Sequence, residues 1–466
     1  MQVLGLDSST QSLKAIVLDS ETDRILAEAS VRFGRDLPQF GCPDGFLPNP
    51  DPRIRHADPR LWLAALDLVF ARLREGGTDL SAIEAIGGDG QQHGSVYLDE
   101  TFADRLAALP SADSLVEALS PAFARPTAPI WMDSSTADEC RALTERFGET
   151  LRAETGSPAT MRFTGPQIMR FAATDPVAWS RTRHVHLVSS FLCSVLIGEN
   201  APVDTGDGAG MNLLSLRTGT WHEEIAEFTA PGLAAKLPRV GHGAAGTLSP
   251  YFARYGLRPG IPVATWTGDN PATLVGCGAA EPGCAVISLG TSDTFFAAMP
   301  SFRTDPDGYG NVFGNPLGGV MALSCFQNGS LARDRVRREL GVDWTFFDET
   351  AFEQTPPGNE GRRAFPCFEP EITPVRPASG ILANFDYDAA PPAVKIRAVV
   401  EAQIENMQER TRWIGRFGTI YVAGGASRSK GLRDVIARTF GATVVPLDIP
   451  DAAALGSARL GLSVLR

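Results

Sequence analysis

No stretch of the sequence offers about 20 uninterrupted apolar residues, so no segment reads as a membrane-spanning helix. No GxxxxGK[ST] occurs, so any phosphate-binding turn must be of another type. Positive net charge is also missing. The formal balance is -12, which argues against nucleic acid or an anionic membrane as a partner, while leaving room for a local basic pocket. The seven cysteines (Cys42, Cys140, Cys193, Cys277, Cys284, Cys325 and Cys367) include no CxxC pair. An odd, dispersed set suggests reduced thiols and a cytoplasmic protein. The opening residues lack the basic and long apolar regions of a secretion signal, and run straight into the strand-like Val3-Leu4-Gly5-Leu6. Asn328-Gly329-Ser330 fits a glycosylation sequon, but without secretion it is read as chance. His184 and His186 alternate as strand positions with no third ligand nearby, so no metal site is expected there.

What is present fits a globular enzyme: 43% hydrophobic and 21% charged residues. At 466 residues the chain exceeds one compact core, so at least two domains are expected. Residues 2–7 read as a strand, 8–12 as a polar turn and 14–18 as a second strand, a hairpin. Apolar residues recur at helical spacing over 61–73, with Asp58 and Pro59 as cap and first turn. Residues 83–86 read as a short buried strand running into a turn, Gly87-Gly88-Asp89-Gly90. Residues 206–210 form a glycine-rich turn. A second strand-turn-strand unit follows at 284–289, 290–293 and 294–299. Its likeness to the opening unit suggests two related domains. A boundary near Arg258-Pro259-Gly260 divides the chain into 1–258 and 259–466. Residues 355–376 are proline-rich and irregular. The tail alternates helix (398–413), strand (419–423), loop, helix (432–440), strand (443–446) and a small-residue helix from 452, an α/β pattern.

Five stretches could carry chemistry. Asp7 with Ser8, Ser9 and Thr10 forms a tight hydroxyl-rich turn whose N–H groups can approach an anion, and an aspartate there can hold Mg²⁺ through water. Lys14 could add charge. The same stretch is equally an ordinary hairpin. Gly290, Thr291 and Ser292 match it as either a phosphate cradle or a plain turn. In Thr267-Gly268-Asp269-Asn270-Pro271, Pro271 suits a first helical position and makes Asn270 an N-cap. Asp269 then lies between a strand end and a helix start, where it could accept a hydroxyl proton or serve only as a cap. Gly424, Gly425 and Ala426 end a strand where a flat ligand could lie on backbone. Gln91, Gln92 and His93 could hydrogen-bond sugar hydroxyls, although a loop histidine is often structural.

These stretches stand in one order: LGLDSSTQSLK, GGDGQQHGSVY, TGDNPATLVG, ISLGTSDTFF and IYVAGGASRSKGL. Between them lie PIWMDSSTADEC, RFTGPQI, DTGDGAGMNLL and CFQNGSL. Together, over nearly the whole chain, they resemble the FGGY family of carbohydrate kinases, and within it the eukaryotic-type xylulokinases. The resemblance implies an α/β protein of two ribonuclease-H-like domains of the actin/hexokinase/Hsp70 type with an interdomain cleft, the first domain binding sugar and the second nucleotide. It implies ATP and Mg²⁺ as cofactors, with Asp7 at the metal and Ser9, Thr10 and Lys14 near the phosphates. Gly290, Thr291 and Ser292 would cradle phosphate, and Gly424, Gly425 and Ala426 would line the adenine pocket. Asp269 would be the catalytic base, while Gln92, His93, Arg162 and Asn270 would bind the sugar. Many bacterial members carry QMH at 91–93 and glycine at 293, which touches the sugar pocket and a phosphate turn. The implied reaction is ATP-dependent phosphorylation of D-xylulose. Its rivals are a kinase for another ketose or polyol (ribulose, glycerol, a hexulose) and a non-catalytic Hsp70/actin-type ATP-binding module. A dinucleotide oxidoreductase is weaker still, because Gly276-Cys277-Gly278 is a fragment that follows a helix. The expected partners are the small sugar and ATP, with no nucleic acid and no membrane, in a monomer or homodimer.

Overall fold

The computed structural model describes residues 1–449 and 451–465. They form two compact units: unit 1 comprises Met1–Gly276, Phe313–Gly319 and the segment from Asp451 onward, and unit 2 comprises Cys277–Val312 and the segment from Val320. Arg258 lies within unit 1, and the chain passes into unit 2 at Gly276/Cys277. Among the described residues no helix is long and apolar enough to cross a membrane.

Unit 1 opens with β1 (Gln2–Ser8), β2 (Ser12–Asp19) and β3 (Arg24–Arg32), an antiparallel meander that contains the expected hairpin. Helix α1 (Arg60–Glu75) buries Leu61, Trp62, Leu66, Val69, Phe70 and Leu73, the apolar stripe that its spacing predicts. Pro59 takes the N-cap position, and Asp58 serves the first turn from outside by accepting the Arg60 N–H at 3.0 Å. Strand β4 (Ile83–Gly90) then lies parallel to β1, and β5 (Pro262–Ala264) lies parallel to β4. Within the seven-stranded sheet these five run in the order β3-β2-β1-β4-β5, the antiparallel meander on one side and the parallel strands on the other, with the antiparallel strand Ala244–Thr247 edging β5. The two-residue strand Thr267–Gly268, which also pairs with β4, leads into helix α2 (Asp269–Gly276).

Unit 2 repeats this plan. β6 (Cys284–Leu289), β7 (Asp293–Met299) and β8 (Val320–Phe326) are antiparallel. Helices α3 (Ser330–Glu339) and α4 (Pro392–Thr411) precede β9 (Thr419–Ala423), α5 (Lys430–Phe440) and β10 (Thr443–Pro446). With β6, β9 and β10 parallel, the order is β8-β7-β6-β9-β10. The two sheets share this five-strand order, the duplicated ribonuclease-H-like arrangement, and differ only in the strands added to it. The proline-rich 355–376 is less irregular than expected, holding the short strands Ala364–Cys367, Glu371–Ile372 and Val375–Arg376.

The structure departs from the local sequence pattern at two places. Residues 87–90 are not a turn but the second half of β4. The glycines permit this because another element presses on the strand. A Cβ on Gly87 would lie 1.9 Å from the Ser457 carbonyl oxygen, and one on Gly88 would enter the Trp266 ring. Glycine here answers a demand for space rather than for a turn. The second departure concerns α2, which begins at Asp269 rather than after Asn270. Pro271 falls in the first turn, where its missing N–H still removes no helical bond.

The element pressing on β4 is α6 (Ala452–Ser463), in which the chain returns to unit 1. Its small residues let backbone meet backbone. A Cβ on Gly456 would lie 1.8 Å from the Ala272 carbonyl oxygen, and one on Gly276 would lie 1.8 Å from that of Ala452. Gly5 of β1 is equally closed, 2.2 Å from the Ala454 carbonyl oxygen. Gly456→Ala should therefore cost on the order of 3 kcal/mol or more, because only backbone could give way. Gly418→Ala, which meets nothing within 4 Å, should leave the thermal unfolding midpoint nearly unchanged. Unfolding scans of the two variants check both expectations.

Candidate active site

In unit 1 the carboxyl ends of three strand segments lie side by side. β1 ends at Asp7 and Ser8, β4 at Asp89 and Gly90, and the short strand Thr267–Gly268 pairs with β4 so that Thr267 faces Asp89. Parallel register sets Asp7 opposite Asp89, and in-register neighbours project to one face. Asp269 follows at the positive end of α2. Three carboxyl groups thus converge where α/β sheets bind ligands.

Burial is what tunes them. It raises Asp7 to about 6, with the negative charge of Asp451 adding to the rise. It raises Asp89, which is fully buried, well above the usual range, and the charge of Asp7 adds to this. Asp89 Oδ2 accepts a bond from Ser457 Oγ at 2.6 Å, while Oδ1 of Asp89 and Oδ1 of Asp7 are buried without a donor. A proton held between the two groups is the bond this arrangement offers. Asp269 is half-buried at its surface but closely surrounded by protein, and burial followed by the charge of Asp7 raises it to about 7. A second acidic pair backs the site. Asp207 Oδ2 accepts from Ser189 Oγ at 2.5 Å, and Asp204 accepts the Asp207 N–H at 2.8 Å. Burial raises both of these groups as well.

The amide groups form a chain. Asn270 Nδ2 donates to Asp269 Oδ1 and to Gln92 Oε1, each at 3.0 Å, and Gln92 Nε2 donates to the Gly206 carbonyl at 3.2 Å. A Cβ on Gly268 would lie 2.4 Å from Gln92 Cγ, so the strand end must be glycine for Gln92 to pass. His93 adopts φ 71° and stacks on Phe163 with ring centroids 4.3 Å apart. Its Nδ1 donates to the Gly210 carbonyl at 2.9 Å. Burial, and then the charge of Arg162, lower its pKa to about 3. The ring is therefore neutral, with the Nδ1 proton fixed and Nε2 left as an acceptor. Arg162 is half-buried close to it.

Three other expected residues already hold partners within unit 1. Ser9 Oγ closes its own turn on the Ser12 carbonyl at 3.0 Å, and Thr10 Oγ1 accepts from Trp131 Nε1 at 2.7 Å. Lys14 is ion-paired with Asp451 and, at 3.2 Å, with Glu28.

Unit 2 holds a separate cavity of about 590 Å³. The turn Gly290, Thr291, Ser292 joins β6 to β7, and Gly424, Gly425 and Ala426 follow β9, whose Ala423 pairs with Ser288 of β6. Thr291, Gly425 and Ala426 line the cavity together with Trp344, Phe347 and Arg333. Gly424, at φ 90°, leaves no room for a Cβ, which would lie 2.4 Å from the Leu289 carbonyl oxygen. Its volume is in the range of small-molecule sites, and the backbone turns fit an anion tail.

Sequence reading missed Asp89, Asp207 and Trp344. Asp89 was hidden by the glycines around it, which were read as a turn. Asp207 lay inside a glycine-rich segment with no apolar pattern, and Trp344 sits in a stretch without periodicity. Among the described residues no group of three or more His, Cys, Asp or Glu side chains is set to hold a metal ion. Asp7, partly exposed at the end of β1, fits a hydrated cation, which keeps most of its own water.

The family described as the FGGY family of carbohydrate kinases, N-terminal domain, matches residues 126–276. A protein of Rattus norvegicus named xylulose kinase is 38% identical over 470 residues, covering 98% of this chain and 87% of the rat protein. The chain belongs to the FGGY family of carbohydrate kinases. Another FGGY relative, xylulose kinase 2 of Arabidopsis thaliana, is 37% identical over 484 residues, covering 98% of this chain and 86% of that protein. Among solved structures, a xyloylose kinase from Brucella ovis superposes with a TM-score of 0.83 at 25% identity, covering 100% of this chain and 90% of that one. The two ribonuclease-H-like units are thus the actin/hexokinase-type domains of an FGGY kinase.

The raised carboxyls give a pH signature. A carboxyl group raised on folding contributes stability below its ordinary value, near 4, that is lost as pH climbs through its folded value. For Asp7 and Asp269 the loss falls between about 4 and 7. Unfolding temperatures of the ligand-free protein should fall over that window. Asp89→Asn should raise the midpoint by a few degrees at pH 7.5, and scans across pH check both.

Proposed function

We propose that this kinase transfers the γ-phosphoryl group of ATP to the 5-hydroxyl of D-xylulose, with Asp269 as general base. The observation that carries this reading is Asp269 itself. It is half-buried at the start of α2, is raised to about 7, and is tied by Asn270 to the amide of Gln92. The named activity of the rat and Arabidopsis relatives supports the choice of acceptor.

The steps follow from the side chains. His93 Nε2 accepts a bond from one sugar hydroxyl, Gln92 and Asn270 supply amide groups to others, and Arg162 adds a donor. Asp269 takes the proton of the attacking hydroxyl as the new O–P bond forms and ADP departs. In a loose transition state that proton becomes acidic late, so alignment matters more than basicity. In unit 2, Gly290, Thr291 and Ser292 receive the phosphates through backbone N–H groups. The adenine lies against Gly424, Gly425 and Ala426, with Trp344 lining the same cavity. Asp7, with Asp89 beside it, would hold Mg²⁺ through its water shell; the ion, when bound, neutralises charge on the β- and γ-phosphates. Cys42, Cys140, Cys193, Cys284 and Cys367 form no disulfide, which supports a reducing, cytoplasmic setting.

ADP release measured across a panel of ketoses and polyols tests the assignment. D-xylulose should give the highest kcat/KM, and a better acceptor overturns the choice of sugar. Asp269→Ala should lose about 10²–10⁴-fold in kcat while ATP still binds. Because an ionised Asp269 is required, kcat/KM should fall tenfold per pH unit below about 7. Near-normal turnover in the variant, or a flat profile down to pH 5, removes Asp269 from the role of base.

A further inference from the structure

The turn 290–292 lacks the lysine that many phosphate-binding loops carry, so its grip depends on how firmly the backbone is held. What holds it is a buried ion pair. Asp293 opens β7 directly after the turn, and Arg333 stands one turn into α3, the helix that walls the cavity with Ser330, Leu331 and Arg333. The pair is bidentate: Arg333 Nη1 donates to Asp293 Oδ2 at 2.7 Å, and Nη2 donates to Oδ1 at 2.9 Å. Nη1 also donates to Gln403 Oε1 at 3.2 Å, and Nη2 to Ser330 Oγ at 2.8 Å. The four Nη hydrogens are thereby spent. The side chains are 3% and 2% exposed.

The same contact is made in backbone. The Ser330 N–H donates to the Gly290 carbonyl at 3.1 Å. A Cβ on Gly329 would lie 2.6 Å from the Asp293 nitrogen and 2.8 Å from the Ser292 carbonyl carbon, so the start of α3 rests on the turn. Gln403 of α4 extends the network by donating to the Asn328 carbonyl at 2.5 Å.

We propose that Asp293 and Arg333 are positioning residues: their bidentate pair fixes the turn 290–292 against α3 and so sets affinity for the phosphates of the nucleotide, not for its adenosine end. This rests on the reading of the unit 2 cavity as the nucleotide site. Arg333 faces that cavity, yet its Nη hydrogens are committed, so it acts through the turn rather than as a cationic clamp on phosphate. Nor does a buried pair by itself add much stability, since desolvation offsets the attraction. The property that a planar fork contributes here is fixed geometry.

Calorimetric titration of the full chain with ATP and with adenosine tests the proposal. Asp293→Asn and Arg333→Gln should each weaken ATP binding about tenfold while adenosine binding and the KM for the sugar stay within twofold. The double variant should be no worse than either single one, because both remove one interaction. Arg333→Lys should fail to restore ATP affinity, since an ammonium group cannot span both carboxylate oxygens. Equal weakening of ATP and adenosine, unchanged ATP affinity in both single variants, or full rescue by lysine overturns the proposal. Should Asp293→Asn fail to fold, Ser330→Ala removes one partner of Arg333 and leaves the charges paired. It should weaken ATP two- to threefold with adenosine unaffected, and loss of that selectivity is equally fatal. Wild-type protein that binds no ATP refutes the nucleotide site itself, whereas normal binding with indifferent variants refutes only the positioning role.

Discussion

Unit 1 depends on one contact: backbone against backbone, where α6 crosses α2 and lies on β1 and β4. Gly456 and Gly276 each present main chain to the other helix, and Gly5 and Gly87 do so from the sheet. Helices this close exchange side-chain packing for many short van der Waals contacts and for fixed position. The position is what matters here. α6 carries Ser457 to the Asp89 carboxyl group, its preceding Asp451 meets Lys14, and α2 brings Asp269 beside them. A side chain larger than hydrogen at any of these crossings would move an acid as well as a helix.

That placement collects acidic groups where water is scarce. Asp7, Asp89, Asp204, Asp207 and Asp269 are all raised by burial, and several raise one another. Such crowding costs stability and persists where function rewards it. Its partners are chosen to avoid full neutralisation. Ser457, Ser189 and Asn270 offer neutral donors, and the nearest lysine is already shared by Asp451 and Glu28. A site poised to receive a cation and a proton needs this restraint, because a built-in arginine would satisfy the carboxylates beforehand. Unit 2 takes the opposite course: its one buried aspartate at the turn, Asp293, is paired outright with Arg333.

Much of this was legible in the sequence wherever pattern and motif agreed. The hairpins at 2–19 and 284–299, the stripe of α1 and the α/β order of the tail all follow from periodicity that packing then satisfies. Asp7, Gln92 and Asp269 stand out because strand ends next to turns are where such groups act, whereas a sugar-binding role for Asn270 follows only from the family resemblance. The failures share a cause. Residues 87–90 read as a turn because glycine permits many conformations, and only the distant α6 restricts them to strand. The engagement of Lys14 by Asp451 spans 437 positions, and no local pattern announces it. Trp344 lines its cavity from a segment with no periodic signal. Local grammar thus gave the elements and most of the acids, while long-range closure decided which glycines are packing sites and which charges are already taken.

The return of the chain to unit 1 at Asp451 has a consequence for biosynthesis. The first 276 residues emerge from the ribosome with the grooves over Gly5, Gly87 and Gly276 uncovered, and all of unit 2 must be made before α6 can fill them. Unit 1 therefore cannot complete these backbone contacts until the later segment is made, unlike a domain built from one continuous stretch.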